Sequence, residues 1–218
     1  MTFFEHLQRS TASESARLID SAIVADALSG NVTREQYIEF LTRAFHHVRH
    51  TPSLLMACGG RLDDEREWLR AEVAEYAREE IGHHEWILND IAAAGGDAAA
   101  SRASAPDFHT ELLVAYAYDT IMRRNPVGIF GMVYVLEGTS VRLACDVADS
   151  IQSALGLPAS AFTYLNSHGA LDVEHMGHFE KLVNRLDKTD RDCVEHCAKA
   201  CFRLYTNVLT GIERKVAA

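Results

Sequence analysis

Apolar residues recur every three or four positions along most of the chain, which is the spacing of one buried face of an α-helix. No stretch alternates apolar and polar residues as a convincing β-strand does. Turn and cap signals divide the pattern into helices, which are predicted over residues 3–20, a short segment ending at Gly30, and residues 33–58, 63–95, 107–124, 126–155, 160–186 and 189–216. We therefore predict an all-α protein with a layered helix core.

Single residues set some of these boundaries. Thr33 and Gln36 have the spacing of a capping box, in which each side chain accepts from the other residue's backbone N–H. The helix that they open is predicted to kink near Pro52 and to end at the glycine pair 59–60. A loop is predicted over residues 101–106.

Composition supports one globular domain. Hydrophobic residues make up 48% of the chain and charged residues 24%, which are globular averages and exclude disorder. Neither a linker nor a change in composition divides the 218 residues. We therefore predict a single domain over residues 1–218, which is long enough to bury its own core.

The charge and hydropathy of the chain limit the classes of partner that it can bind. The formal net charge of −10, without a basic stripe, gives little attraction to nucleic acid or to anionic membranes. The first residues lack the features of a signal peptide, and the longest apolar run, residues 127–136, is too short to span a bilayer. We expect a cytoplasmic protein that binds neither nucleic acid nor a membrane.

The five cysteines include Cys193, Cys197 and Cys201, which recur every four residues on one predicted helix face. A thiolate metal site with His196 is one interpretation of this stripe. A packing stripe of small buried residues is the other, and we favour it because no cysteine pair has the CxxC spacing of a zinc or redox site.

Most of the 11 histidines lie near carboxylates or in clusters, in the segments 44–50, 79–86 and 168–178. Residues three or four apart lie on one face of a helix, so such pairs can bind one ion. The residues with this spacing are Glu79, Glu80 and His83 in the second segment and His168, Asp172 and His175 in the third. A single pair with this spacing usually lies on a solvated helix face, whereas pairs in two segments together favour a metal site.

Glu137 lies between these segments in an apolar predicted helix. A buried carboxylate is costly unless it is paired, protonated or bound to a metal. A salt bridge is the structural alternative, and Arg142 is the nearest basic residue in sequence. Carboxylates and histidines from three helices are the donors of di-iron and di-manganese sites. Without thiolate these donors suit iron or manganese, and zinc remains an alternative.

The motifs Glu79-Glu-Ile-Gly-His83-His-Glu-Trp86 and His168-Gly-Ala-Leu-Asp172-Val-Glu-His175, with Glu137 between them, resemble those of the haem-oxygenase-like di-metal oxidases. These belong to the wider haem oxygenase/thiaminase II fold superfamily. The intervals between the motifs are also similar. The resemblance implies a haem-oxygenase-like bundle of about seven helices, two non-haem iron ions (manganese as an alternative), and oxidation of a small organic substrate by O2. The ligands that it implies are Glu80, His83, Glu137, His168, Asp172 and His175.

The sequence also departs from that pattern. Tyr76 stands where several members have a glutamate, so Glu80 or Glu79 is predicted to supply the carboxylate. Some members contribute a further ligand from the preceding helix, where this chain has the neighbouring histidines His46 and His47. Glu137 is predicted to serve both ions in catalysis. Tyr134 is predicted to act with it, in a pocket lined by the apolar helix.

True haem oxygenases have a proximal histidine in the first helix. Residues 7–16 contain none, although His6 lies just upstream, so no haem is predicted. Two other classes remain open: a metal-free enzyme or binding protein on the same fold, like thiaminase II or pyrroloquinoline-quinone synthase, and a ferritin-like iron-binding bundle. A homodimer is expected.

Overall fold

The computed structural model describes residues 1–213, apart from the side chains of residues 168–174. This part of the chain is helical, as predicted, and contains no strand. The α-helices are α1 (Phe3–Ser10), α2 (Ala12–Ile19), α3 (Ala22–Leu28), α4 (Arg34–Val48), α5 (Thr51–Arg61), α6 (Glu67–Glu80), α7 (His83–Ala93), α8 (Ala98–Ala103), α9 (Phe108–Arg123), α10 (Phe130–Leu155), α11 (Thr163–Asn184) and α12 (Lys188–Thr210). Short 3₁₀ turns precede α6, α10 and α11.

The described residues thus form twelve α-helical segments, not the seven that the resemblance implied. Short breaks divide helices that were predicted as continuous. The predicted first helix is interrupted at Thr11, whose hydroxyl donates to the Leu7 carbonyl oxygen at 2.7 Å. The prediction that Gly59 ends a helix is wrong, because Gly59 is buried inside α5. A Cβ there would make an ordinary contact with the Val73 side chain of α6 at 3.4 Å, so this position faces that helix.

Two further boundaries come from caps. The predicted loop over residues 101–106 begins inside α8, because the Asp97 side chain accepts from the Ala100 N–H at 2.9 Å and caps that helix. The Thr33–Gln36 capping box is confirmed, with both reciprocal hydrogen bonds present. These local contacts fix where the backbone enters each helix.

The break between α6 and α7 matters most for the site. The predicted helix over residues 63–95 is interrupted at Gly82, whose φ of 98° is in the left-handed region that favours glycine. Glu80 is the last residue of α6 and His83 is the first residue of α7. The two side chains therefore do not share one continuous helix face, as the sequence had predicted.

Helix α10 crosses the centre of the molecule and packs against α11 and α12. Its Gly131 lies directly against α12: a Cβ there would lie 2.5 Å from the Ala198 nitrogen and from the Val194 carbonyl oxygen. Within the described residues, one stretch, Pro126–Leu155, is long and apolar enough to cross a membrane by length and composition alone. Of its most apolar part, 61% is buried inside the molecule, as in a core helix.

The buried Asp90 of α7 joins that helix to the start of α11. Its carboxylate accepts from the backbone N–H of Thr163 at 3.1 Å and of Tyr164 at 2.8 Å. Burial raises the pKa of Asp90 above its ordinary value, although these hydrogen bonds oppose the rise. This cap fixes α11 relative to α7, and each of the two helices carries a predicted ligand.

Candidate metal centre

Three of the predicted ligands come from three helices and meet inside the molecule. One ligand atom each of Glu80 at the end of α6, Glu137 on α10 and His175 on α11 lies within 4.8 Å of the others. Glu80 and Glu137 are buried, with 5% and 8% of their surface exposed. Two buried carboxylates beside an imidazole are a costly arrangement unless a cation or a proton compensates them.

His83 joins this cluster through Glu80. Its Nδ1 lies 3.2 Å from Glu80 Oε2, and its ring stacks on Trp86 with centroids 4.2 Å apart. The turn at Gly82 brings His83 back towards the end of α6, so the break preserves the proximity that the Glu-x-x-His spacing predicted. Trp86 fixes the orientation of the imidazole by packing on its face.

His175 lies between two carboxylates. Its Nδ1 is 3.7 Å from Glu137 Oε1, and its Nε2 is 3.4 Å from Glu79 Oε2. The Tyr76 ring lies beside it, with centroids 5.2 Å apart. Glu79 is more exposed than Glu80, so it lies at the outer edge of the cluster. We name the group Glu79, Glu80, His83, Glu137 and His175 the acid–histidine cluster.

The structure brings together four of the six principal predicted ligands: Glu80, His83, Glu137 and His175. The side chains of the other two, His168 and Asp172, lie outside the described part of the chain. Arg142, the salt-bridge partner considered for Glu137, instead donates to the Ser15 hydroxyl at 3.0 Å. Metal binding by these residues stays a prediction.

The two neighbouring histidines of α4 differ in position. His47 is buried and lines the cavity that borders the acid–histidine cluster. The Nε2 of His46 instead lies 2.9 Å from the Ser104 hydroxyl, and His46 is not part of that lining. Burial lowers the pKa of His46 below its ordinary value. Of the two, His47 is therefore the better placed to reach the site.

The cavity has a volume of about 170 Å³ and is bordered by Glu80 and Glu137. Its walls are mainly aliphatic and come largely from α3, α4, α5 and α10. The prediction that Tyr134 lines this pocket is wrong. Tyr134 lies on another face of α10, where its ring stacks on Phe179 and its hydroxyl lies 3.4 Å from that of Thr11. This position gives no support to a catalytic role for Tyr134.

The cysteine stripe on α12 supports the packing interpretation. Cys197 and Cys201 are buried in the hydrophobic core, with their sulfur atoms 3.7 Å apart. His196 is exposed, and its Nε2 lies 3.3 Å from an Arg124 nitrogen. Among the described side chains, no group of three metal-binding residues includes these cysteines.

Two polar residues beside the site were not predicted. Tyr76 precedes Glu80 by one turn of α6, and Ser140 follows Glu137 by three residues on α10. Both line the cavity. Helical spacing from the acids could have found both residues, but the sequence does not show that a cavity exists there.

Solved structures define the class of the fold. A domain of unknown function with a heme oxygenase-like fold from Shewanella denitrificans OS217 is 24% identical, with a TM-score of 0.87 over 97% of this chain and 92% of that one. A TenA homolog from Pseudomonas syringae pv. tomato is 13% identical, with a TM-score of 0.78 over 95% and 91%. Heme oxygenase-1 from Synechocystis sp. PCC 6803, in complex with heme, is 10% identical, with a TM-score of 0.76 over 98% and 93%. The chain therefore has the haem-oxygenase-like fold.

The sequence defines the family within this fold. The profile of a family described as iron-containing redox enzymes matches residues 38–206. The chain belongs to this family of iron-containing redox enzymes. No curated protein matches the sequence significantly.

Proposed function

We propose that the protein is a non-haem di-iron oxidase that uses O2 to oxidise a small organic substrate. The observation that carries this proposal is the convergence of Glu80, Glu137 and His175 from three helices within 4.8 Å. Carboxylate and imidazole donors without thiolate suit iron or manganese. Iron is the metal that membership of the family favours.

The residues present fit such a metal pair. The proposed ligands are Glu80, His83, Glu137, His168, Asp172 and His175, with Glu79 and His47 as further candidates. Bound iron would supply the electron transfer to O2 that amino-acid side chains cannot provide. The carboxylates, Glu137 among them, would balance the charge of the cations. The aliphatic walls would keep water away from the reacting part of the substrate.

We propose no haem for this site. His6, the histidine nearest in sequence to the position of a proximal ligand, has its Nε2 2.8 Å from Glu195 Oε2 and lies outside the cavity lining. The acid–histidine cluster also borders the cavity, and its carboxylate and imidazole donors suit non-haem metal ions. The fold itself favours this class over a ferritin-like bundle. Cytoplasmic location and a homodimer remain predictions.

Iron retention tests the proposal. The full chain is incubated with Fe(II) without oxygen, freed of unbound metal, and analysed for iron per chain by mass spectrometry. We expect about two iron ions in the native protein. Glu80→Gln should lose most of this iron, because a neutral amide is a poor ligand. Glu75→Gln is the matched control, since Glu75 lies on the same helix with an exposed side chain paired to Arg78.

A second pair of variants tests the histidine. His175→Asn should lose iron, whereas His178→Asn on the same helix should retain it, because His178 is half exposed and pairs with Glu72. Circular dichroism checks that each variant is folded. A native chain that retains no iron would favour the metal-free class. Equal retention by Glu80→Gln and Glu75→Gln would show that the ligand assignment is wrong.

A further inference from the structure

His175 has two ring nitrogens, and each faces a different carboxylate. Its Nδ1 lies 3.7 Å from Glu137 Oε1, and its Nε2 lies 3.4 Å from Glu79 Oε2. A neutral imidazole carries a proton on one nitrogen and can bind a metal ion through the other. The arrangement of the two acids therefore determines which nitrogen of His175 serves the candidate metal centre.

The Nδ1 side of the ring faces the buried acids. Glu80, Glu137 and His175 each offer an atom within 4.8 Å of the others, so one ion can contact all three residues. Both acids are buried, and a cation between them would compensate their charges. Because Nδ1 faces Glu137, it is the nitrogen that is placed to bind this ion.

Glu79 lies at the other nitrogen of the ring. Its side chain is 40% exposed, whereas that of Glu80 is 5% exposed. Among the described residues, Glu79 is not part of the group whose atoms meet within 4.8 Å. A carboxylate in this position accepts the N–H of the second imidazole nitrogen, which is the usual arrangement beside metal-bound histidines.

Helix α6 holds the imidazole in two ways. Tyr76 and Glu79 are three residues apart on this helix, so they lie on the same side of it. The Tyr76 ring lies beside His175, with centroids 5.2 Å apart, and the Glu79 carboxylate lies at the Nε2 edge. These contacts oppose a rotation of the ring that would exchange its two nitrogens.

From these contacts we infer that Glu79 is a positioning residue for His175 and not a ligand itself. Its carboxylate accepts the Nε2–H, which fixes the tautomer that binds an ion through Nδ1 and makes that nitrogen a stronger donor. The inference deepens the proposed function and rests on it for the identity of the metal. It also divides the two neighbouring acids of α6, because Glu80 is a proposed ligand whereas Glu79 orients one.

NMR of the imidazole nitrogens in the zinc-loaded full chain tests which nitrogen binds. Zinc is diamagnetic and accepts the same donors, and the signals of His175 are identified by their loss in His175→Asn. We expect zinc to shift the Nδ1 resonance and to leave a proton on Nε2. Zinc bound to Nε2 would overturn the inference.

Zinc affinity, measured by competition with a chromophoric chelator, tests the role of Glu79. Glu79→Ala should weaken binding about 10- to 100-fold, which is the usual loss when a group that orients a metal-bound histidine is removed. Glu79→Gln should lose less than about tenfold, because an amide oxygen still accepts the Nε2–H. Glu75→Ala is the matched control, since Glu75 lies one turn earlier on α6 with an exposed side chain. This control should leave the affinity nearly unchanged.

The two Glu79 variants separate positioning from direct binding of the ion. A neutral amide is a poor metal ligand, so equal losses in Glu79→Gln and Glu79→Ala would show that Glu79 binds the ion and would overturn the inference. An unchanged affinity of Glu79→Ala would also overturn it. Zinc bound through Nδ1 in a chain that retains no iron would support the inference and contradict the di-iron assignment. Iron retention with zinc bound through Nε2 would do the reverse.

Discussion

At the scale of single residues, Glu137 carries the clearest electrostatic problem. It is buried on the central helix, close to the buried Glu80 and with its Oε1 3.7 Å from His175 Nδ1. Two buried carboxylates side by side are costly unless a cation or a proton compensates them. A metal site and a structural ion pair are the two roles that answer this cost.

Replacing Glu137 by Gln distinguishes these two roles. The change keeps the shape and removes the charge, so the metal-free protein should melt at the same or a higher temperature. Iron retention should fall to a small fraction of the native value, because a neutral amide is a poor ligand for iron. Melting curves of the metal-free chain and iron analysis of the loaded chain measure the two effects.

A structural role for Glu137 predicts the opposite result. Breaking a buried ion pair costs about 3–5 kcal/mol, which would lower the melting temperature clearly. If this drop occurs while iron retention is unchanged, the assignment of Glu137 as a ligand is wrong.

Burial of His46 and His50 predicts a pH dependence of stability. Burial lowers the pKa of both residues, and the charge of Arg49 adds to the effect. As the pH falls below about 6.5 the unfolded chain takes up these protons first, so acid should lower the free energy of unfolding through this range until the folded histidines protonate. Urea titrations between pH 7.5 and 5 should show a smaller loss for His46→Gln/His50→Gln than for the native chain. An equal loss in both proteins would contradict this account.

Part of the site could be predicted from residue types and spacing. Three features indicated the cluster: the Glu-x-x-His spacing, the acid in an apolar segment and the region around His175. Residues three or four apart lie on one face of a helix, so their side chains can meet. Neither Tyr76 nor Ser140 was predicted to line a pocket. Tyr76 was noted only as standing where several members of the resembling family have a glutamate, and a lone serine gives no signal until a cavity wall is known. Tyr134 was misplaced, because an apolar helix that is buried all round does not reveal which face borders a cavity.

At the scale of elements, the contact of α10 with α12 depends on Gly131. A Cβ at this position would lie 2.5–2.7 Å from atoms of α12, where backbone atoms must move to admit it. Gly131→Ala should therefore destabilise the protein by ~1–3 kcal/mol, as overpacking does. Urea denaturation of the metal-free chain measures this loss.

Gly138 on the same helix is the matched control. Nothing lies within 4 Å of a Cβ built there. Gly138→Ala should stabilise the protein by about 0.5–1 kcal/mol, since alanine loses less backbone entropy in a helix interior. Equal effects of the two substitutions would show that the close helix contact does not decide the stability of this region.

Helix existence could be predicted more reliably than helix ends. The long apolar segment at residues 126–155 is confirmed as one helix with a short 3₁₀ turn before it. The breaks at Thr11 and Gly82 were missed, because the apolar period continues through both. At Thr11 the hydroxyl bonds to the Leu7 carbonyl oxygen, and at Gly82 the backbone takes a left-handed φ, and neither feature shows in the apolar pattern. At Gly59 the error was the reverse, since a glycine inside a helix cannot be told by its residue type from one that ends a helix.

At the scale of the whole molecule, metal binding should couple to stability. An ion that binds the folded chain and not the unfolded one stabilises it by about 2.7 kcal/mol at a concentration 100 times its dissociation constant. We expect Fe(II) without oxygen, or Mn(II), to raise the melting temperature of the native chain and not that of Glu80→Gln. The rise should shrink on acidification, because imidazole and carboxylate ligands must lose their protons to bind.

Magnesium provides the control for this experiment. Mg²⁺ prefers oxygen ligands and water to imidazole, so the same concentration should leave the melting temperature of the native chain nearly unchanged. An equal rise with Mg²⁺ would indicate general screening of the acidic chain, whose formal net charge is −10, rather than a site.

One face of α10 contacts α12 and another borders the cavity. This division matters for changing which molecules the cavity accepts. Gly131 and Ala198 lie where α10 meets α12, whereas Leu136, Leu143 and Val147 border the cavity. Substitutions on the second face alter the volume and outline offered to a guest molecule without touching that helix contact. A library confined to these three positions can therefore diversify which molecules the cavity accepts while the close contact of Gly131 with α12 stays as it is.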